Sequence, residues 1–441
     1  MLPIALATLS LATLSLTTLS LAAAMPEPPH AQSWVELAPG GSVVRLLTDA
    51  NTCPVVIVDG RRRHTMLRAA PGPLPARSNK AQVNGPTAWP ARVCELHLAR
   101  TVRQARLGGH PLPLPRPQID RIVLIGDTGC RIKAADNAVQ DCNLPAAWPF
   151  ATIAARAAAL HPDLVLHVGD YLYRENPCPA DRQGCAGTAW GYGEAGWRAD
   201  FLDPARPLLN AAPWIMVRGN HEECARAGQG WWRLLDPHGL QAGSDCGDPA
   251  RDMAGNHSDP YAVPLGHGAQ VIVADLMHLA SGSADDAAVS ATFANDLTTI
   301  AALSARAKVS FATAHYPFNA VLWKDAARGA VAIGSRPVAA FAMPPLPRVR
   351  AMLAGHIHLF QYARFADRPT QVITGFSGTQ EDAAIAPDSI DAAAGKPGAA
   401  ALQALTTITG RFGYALMVRQ GRAWRLTVFA TDGATMARFT I

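Results

Sequence analysis

The sequence predicts an α/β protein preceded by a small β-rich region, and three observations carry that expectation. Apolar, strand-like runs at Arg121–Ile125, Asp163–Val168, Trp214–Val217 and Val349–Leu353 each lead within two residues to a Gly followed by Asp, Asn or His. Segments of helical character, Trp148–Leu160 and Phe201–Leu209, stand between the first three runs. Ahead of them, Pro111–Pro117 holds four prolines in seven residues and follows a stretch of short Val-, Leu- and Ile-rich runs. Strands alternating with helices indicate an α/β layer, and a proline-rich segment reads as a stiff linker.

Residues 2–24 are apolar or small hydroxyl residues without a charge and end in Ala22-Ala23-Ala24. That pattern fits an export signal cleaved near Ala24, although its N-terminal end has no Lys or Arg. A retained anchor is the competing reading, but the Ser/Thr content makes a poor span. The mature chain is therefore expected to be periplasmic or secreted, with no stable membrane span. Residues 25–117 follow as a β-domain plus linker, with strands at Ser42–Leu47, Pro54–Val58 and Val93–Leu98 bounded by Gly, Asn and Pro. Residues 118–441 form the second domain. After its first three strands come runs at Gln270–Ala274, Val309–Ala314, Val349–Leu353 and Gln371–Thr374, then two strands, Tyr414–Arg419 and Trp424–Ala430, joined at Gly421. Residues 378–400, rich in Ala, Gly, Asp and Pro, read as a mobile loop.

Composition narrows the function. Of 441 residues, 49% are hydrophobic and 17% charged, so a large core is easily built and global disorder is excluded. A net charge of +5 is small for this length, and the single basic run, Arg61-Arg62-Arg63, reads as a solvated turn. Nothing resembles the basic stripe of a nucleic-acid binder. The eight cysteines are even in number and show no zinc-finger spacing, which agrees with disulfides in an exported chain.

The chemistry lies where strands end. Asp127, Asp170, Asn220-His221 and His356-x-His358 each follow a Gly that lets the backbone turn, and His315 directly ends the run Phe311–Ala314. Ligands in open α/β sheets collect at the carboxyl ends of strands. Each motif alone is weak, since a lone Gly-Asp is usually a turn and a lone buried His usually a core residue. Their order is what carries weight. Gly255-Asn256-His257 repeats one tripeptide, but it follows no strand-like run and reads as a loop.

Asp127-x-Gly129, Gly169-Asp170-x-x-Tyr173, Gly219-Asn220-His221-Glu222, His315 and Gly355-His356-x-His358, in that order, resemble the calcineurin-like metallophosphoesterases, specifically the purple acid phosphatase branch. The resemblance spans residues 120–375 or so. It implies a two-sheet β-sandwich flanked by helices, with the N-terminal β-domain similar in position to that of plant-type relatives. It implies that Asp127, Asp170, Tyr173 and His358 hold one metal, and that Asp170 bridges to a second held also by Asn220, His315 and His356. Asp170 and His221 are the expected catalytic residues, His221 contacting the phosphate or leaving group. Many metallophosphoesterases carry a ligand His two residues after the first Asp, where this chain has Gly129. Tyr173 fills that gap, and a phenolate favours Fe(III) in the first site, with divalent Zn, Fe or Mn in the second. The implied reaction is hydrolysis of phosphate monoesters by a metal-bound hydroxide. Phosphodiesters are the alternative substrate, and a non-catalytic binding protein of the same fold is the rival outside enzymes. No His-Glu-x-x-His of a zinc peptidase is present. Arg131 and Arg174, just past ligand motifs, are candidate phosphate contacts.

Eight cysteines allow 105 pairings. The expected set is Cys53–Cys94, Cys130–Cys142, Cys178–Cys185 and Cys224–Cys246, because each neighbouring pair brackets one loop and three of those loops leave a metal motif.

Overall fold

The computed structural model describes residues 31–77, 85–240, 243, 245–281, 286–325, 327–334, 338, 346, 348–382 and 385–441. Two large sheets dominate. The first runs, edge to edge, Thr435–Thr440, Ala423–Ala430, Gly413–Gln420, Arg121–Ile125, Leu164–His167, Trp214–Met216, Gln32–Ala38, Gly41–Thr48, Arg92–Ala99 and Met66–Ala69. The second runs Tyr261–Gly266, Ala269–Val273, Val309–Thr313, Val349–Ala354, Thr370–Thr374, Phe360–Phe365 and Leu402–Ile408. The centre of each sheet is parallel: Arg121–Ile125, Leu164–His167 and Trp214–Met216 in one, and Ala269–Val273 through Thr370–Thr374 in the other.

Parallel strands are covered on both faces, which is why these segments read as unbroken apolar runs. Side chains still alternate with period two. Ile122, Leu124, Leu164, Leu166 and Ile215 face the second sheet and meet Val271, Phe311, Leu353 and Val372. Val123, Ile125 and Val165 face outward onto Phe150, Ile153 and Ala157 of the helix Phe150–Ala159 and Leu208 of the helix Asp203–Leu209. Beyond the second sheet, Ile272, Ala312 and Met352 pack under Val289, Phe293, Leu297 and Ile300 of the helix Ala287–Ser304. The result is a two-sheet sandwich with helices on both outer faces, preceded by β-rich structure.

Several expectations are refined. The proline-rich boundary does not interrupt the first sheet: Gln32–Ala38 pairs in parallel with Trp214–Met216, so four N-terminal strands continue it. The basic run is a short exposed strand, Arg61–His64, paired with Val55–Val58, rather than a turn. A third C-terminal strand, Thr435–Thr440, follows the two expected ones. Residues 378–400 are not a uniform loop: Ile390–Ala393 is helical, and residues 379–382 are tied into the site described below. All four expected disulfides are formed. The expected export signal, residues 1–24, lies outside the described residues. Among the described residues, no helix is long and apolar enough to cross a membrane.

Candidate metal centre

Each motif leaves the carboxyl end of a parallel strand. Asp127 stands two residues past Arg121–Ile125, Asp170 three past Leu164–His167, His315 two past Val309–Thr313 and His356 two past Val349–Ala354. Asp127, Asp170 and His356 adopt left-handed backbone, with φ of 53°, 60° and 72°. For non-glycine residues this conformation costs about 1–3 kcal/mol each and clusters at functional sites. The preceding glycines have a steric reason as well. A Cβ on Gly219 would run into the Asp170 carboxylate and amide, and one on Gly355 into the Asp127 carboxylate. Each glycine thus lets one motif touch another.

The turns bring the seven expected ligand side chains together in two overlapping groups. Tyr173 donates its hydroxyl to Asp170 Oδ2 at 2.6 Å and lies 3.3 Å from Asp127 Oδ1 and 2.8 Å from His358 Nε2. Donor atoms of Asp127, Asp170 and His358 all lie within 4.8 Å of one another. On the other side, His315 Nε2 is 3.1 Å from both Asp170 Oδ2 and Asn220 Oδ1, and His356 Nδ1 is 2.9 Å from Asn220 Oδ1. Asp170 belongs to both groups. His221 donates its backbone N–H to Asp170 Oδ1 at 2.9 Å, and its ring lies 3.6 Å, centroid to centroid, from that of Tyr173.

The surroundings prepare these side chains to bind cations. His315 Nδ1 pairs with the Val168 carbonyl at 2.8 Å and His358 Nδ1 with the Gln380 carbonyl at 2.9 Å. A carbonyl only accepts, so each Nδ1 carries a proton and each Nε2 faces the cluster, free to give its lone pair to a cation that displaces its proton. Burial and the positive charge of His315 push His356 down to about 3, which leaves it a neutral imidazole. Burial raises the Asp127 carboxyl; for Asp170 the facing His315 and His221 outweigh burial and hold it well below the usual range. Burial opposes the charge on His315, yet Asp170 wins and lifts it to about 9. Buried carboxylates need counter-charge, and carboxylate, phenol, amide oxygen and imidazole together suit a pair of first-row cations. The donor set therefore fits a two-metal centre. It faces an open cleft of about 360 Å³, lined also by Arg131, Lys133 and Asp382.

Three buried acids with no role assigned from the sequence, one of them the Glu222 of the Gly219-Asn220-His221-Glu222 motif, hold the site. Glu222 accepts from the amides of Asp170, Tyr171, Leu172 and Gly219 at 2.9–3.2 Å, which clamps two motifs together. Asp200 accepts from the amides of Cys130, Tyr173 and Arg174 at 2.7–3.0 Å. Glu175 accepts from His221 Nδ1 at 2.6 Å, and the Arg226 guanidinium pairs with the same carboxylate. Burial opposes the Glu175 charge, but Arg226 and His221 outweigh it and lower the carboxyl to about 2.

The two arginine candidates part company. Arg131 lines the cleft, 2.8 Å from Asp136 and 3.8 Å from Asp382. Arg174 does not reach it: the residue is 2% exposed, paired with Asp200, bonded to Thr188 and stacked 4.7 Å over Trp148. Its role is structural, which corrects the expectation of phosphate contact. Asn256 lies outside the centre, but it is buried, its Oδ1 accepting the Cys224 amide at 2.7 Å. The segment expected to be mobile also contributes: Thr379 donates to the carbonyls of Asp127 and Gly129, and Asp382 accepts the His358 amide.

The model of the calcineurin-like phosphoesterase family matches residues 120–360. Among solved structures, purple acid phosphatase PPD1 from yellow lupin (Lupinus luteus) seeds is 15% identical, with a TM-score of 0.57 over 94% of this chain and 75% of that one. A structure of PhoD is 12% identical, with a TM-score of 0.53 over 94% of this chain and 90% of that one. At such identity these two establish the shared fold. No curated protein matches the sequence.

Proposed function

Because the chain belongs to the calcineurin-like phosphoesterase family, we propose that it is an exported phosphatase of the purple acid phosphatase type, cleaving phosphate monoesters at a two-metal centre. The observation that carries this reading is the position of Asp170. Its Oδ2 is 2.6 Å from the Tyr173 hydroxyl and 3.1 Å from His315 Nε2, so one residue serves both groups of donors. Asp127, Asp170, Tyr173 and His358 would hold the first metal, ferric iron, and Asp170, Asn220, His315 and His356 the second, a divalent ion. Such a pair would supply Lewis acidity, an acidified water and counter-charge for a phosphoryl group.

The chain's own residues do the rest. His221, oriented by Glu175 and lining the cleft, would meet the leaving oxygen. Arg131 and Lys133 stand at the rim, both paired with Asp136 and Arg131 also facing Asp382, and would exchange those carboxylates for an arriving phosphate dianion. The buried walls around Asp127 and Asp170 keep bulk water away, so each charge acts more strongly than in solvent. The four disulfides and the apolar block at residues 2–24 support export.

The test pairs metal analysis of the full chain with a panel of monoesters and diesters. Asp170→Asn removes charge from both groups at once and is expected to lose most metal and roughly a hundred- to a thousandfold in kcat, the scale on which single electrostatic groups act. An Asp170→Asn protein that folds, keeps both metals and turns over normally defeats the reading. Preference for diesters in the wild type would transfer the same centre to the alternative substrate.

A further inference from the structure

A second group of metal-ligating side chains converges on residues that the two-metal centre does not use. His257 follows the turn Asp252–Gly255, His278 opens the short helix His278–Ser281, and Asp296 lies midway along the helix Ala287–Ser304. One donor atom from each lies within 4.8 Å of the other two. His257 Nε2 is 2.9 Å from Asp296 Oδ1, and His278 Nε2 is 3.9 Å from Asp296 Oδ2. Donors about 2.0–2.1 Å from a tetrahedral zinc stand roughly 3.3 Å apart, and the observed separations straddle that value.

What points to a ligand is valence left unused. His278 is fully buried, yet neither ring nitrogen has a hydrogen-bond partner among the described residues. Asp296 is equally buried, and its Oδ2, on the side of His278, has none. A gap of 3.9 Å is too long for a hydrogen bond between them. Buried polar atoms are nearly always paired, and an unmet one costs about 1–3 kcal/mol. One cation would satisfy the His278 and Asp296 atoms together. His257, with a fifth of its side chain exposed, sits at the solvent edge and leaves a way in. The imidazole rings of His257 and His278 stand 5.4 Å apart at 75°, edge to face rather than stacked. The carboxylates of Asp275, itself paired with Arg218 at 3.4 Å, and Asp259 lie nearby.

We propose that His257, His278 and Asp296 form a third cation site, structural in role, for a zinc-like divalent ion. Two imidazoles and one carboxylate are zinc donors, and a water entering at the His257 edge would take the fourth position that structural sites usually close with a side chain. The ion would tie the long outer helix to the loop at His257. That loop continues back through Asn256 to the Cys224 amide, three residues past His221.

The experiment counts zinc on the intact chain after chelation and reloading, in a background that weakens the two-metal centre. Asp170→Asn is expected to retain one more equivalent per chain than Asp170→Asn combined with His257→Gln. His257 is the partly exposed ligand, so the added substitution puts folding at least risk. Asp170→Asn combined with His278→Gln serves as an independent second variant. Chelation is expected to lower the Tm of Asp170→Asn and leave that of the folded double variants unchanged. Equal zinc content in Asp170→Asn and the folded double variants, or a Tm of Asp170→Asn indifferent to chelation, overturns the proposal.

Discussion

Replacing Glu175 by Gln tests how His221 is aimed. The carboxylate lies 2.6 Å from His221 Nδ1, and Arg226 bonds the same oxygen while also reaching the Asn220 carbonyl at 3.1 Å. Glu175 is 1% exposed and Arg226 5%, so the substitution leaves a buried guanidinium without its counter-charge. Removing one partner of a buried pair costs roughly 3–5 kcal/mol, and the amide carbonyl of Gln keeps part of the hydrogen bonding, so the low end is expected. The catalytic effect is separate. Partners that fix the orientation of site histidines are worth about 10–100-fold, roughly 1.4–2.7 kcal/mol in the barrier. Steady-state kinetics on an aryl phosphate monoester should therefore show kcat falling by that factor with KM little changed, because the substitution leaves the rim of the cleft intact. Glu175→Asp should recover part of the loss. A folded, metal-replete Glu175→Gln enzyme with wild-type kcat would refute the argument, and a raised KM at constant kcat would move Glu175 from aiming His221 to binding substrate.

Three further outcomes are expected. If the first metal is ferric iron, its bond to Tyr173 gives a visible charge-transfer band. Tyr173→Phe should then bleach the oxidised protein, while Tyr171→Phe, whose hydroxyl bonds the Val217 carbonyl at 3.0 Å, should stay coloured; a colourless, fully active zinc protein excludes the iron. Gly219→Ala forces a methyl group against the Asp170 carboxylate and should cost roughly 1–3 kcal/mol and displace metal, as read by denaturant unfolding and metal content; wild-type values for both would contradict the packing account. At Glu95, burial opposes ionisation, but His97, Arg45 and Arg68 outweigh it and hold the carboxyl near 2. With an unfolded value near 4.5, its stabilisation is present above that pH and is lost as pH falls toward 2. Glu95→Gln should cost roughly 1–2 kcal/mol at pH 7, discounted for partial exposure, and flatten unfolding stability between pH 4.5 and 2; an unchanged acid slope counts against it.

The ligands were legible in the sequence because two constraints act locally. A parallel strand buried on both faces must be an apolar run, and the close approach of one turn to another demands Gly immediately before Asp170, Asn220 and His356. Pairing between distant segments leaves no such local trace. Nothing in Gln32–Ala38 announces that it will lie beside Trp214–Met216, and the composition of residues 378–400 hides the fact that Thr379 and Asp382 bond the metal loops.

Charged residues beside a motif are a harder case, and Arg174 shows why. Proximity in sequence made it a phosphate contact, yet the chain there is extended, with Arg174 bridging Ile132 in parallel. In extended backbone, neighbours point to opposite sides and residues two apart share one. Tyr173 faces the metal ligands, so Arg174 turns away, to Asp200 and Trp148, and Glu175 returns to the side of Tyr173 and meets His221. Given that extended backbone, the period-two rule applied from Tyr173 selects Glu175 and rejects Arg174. The choice of partner, Arg226, still needs the tertiary fold, because the Gly219 turn and the following one-turn helix Asn220–Glu222 set where it lands.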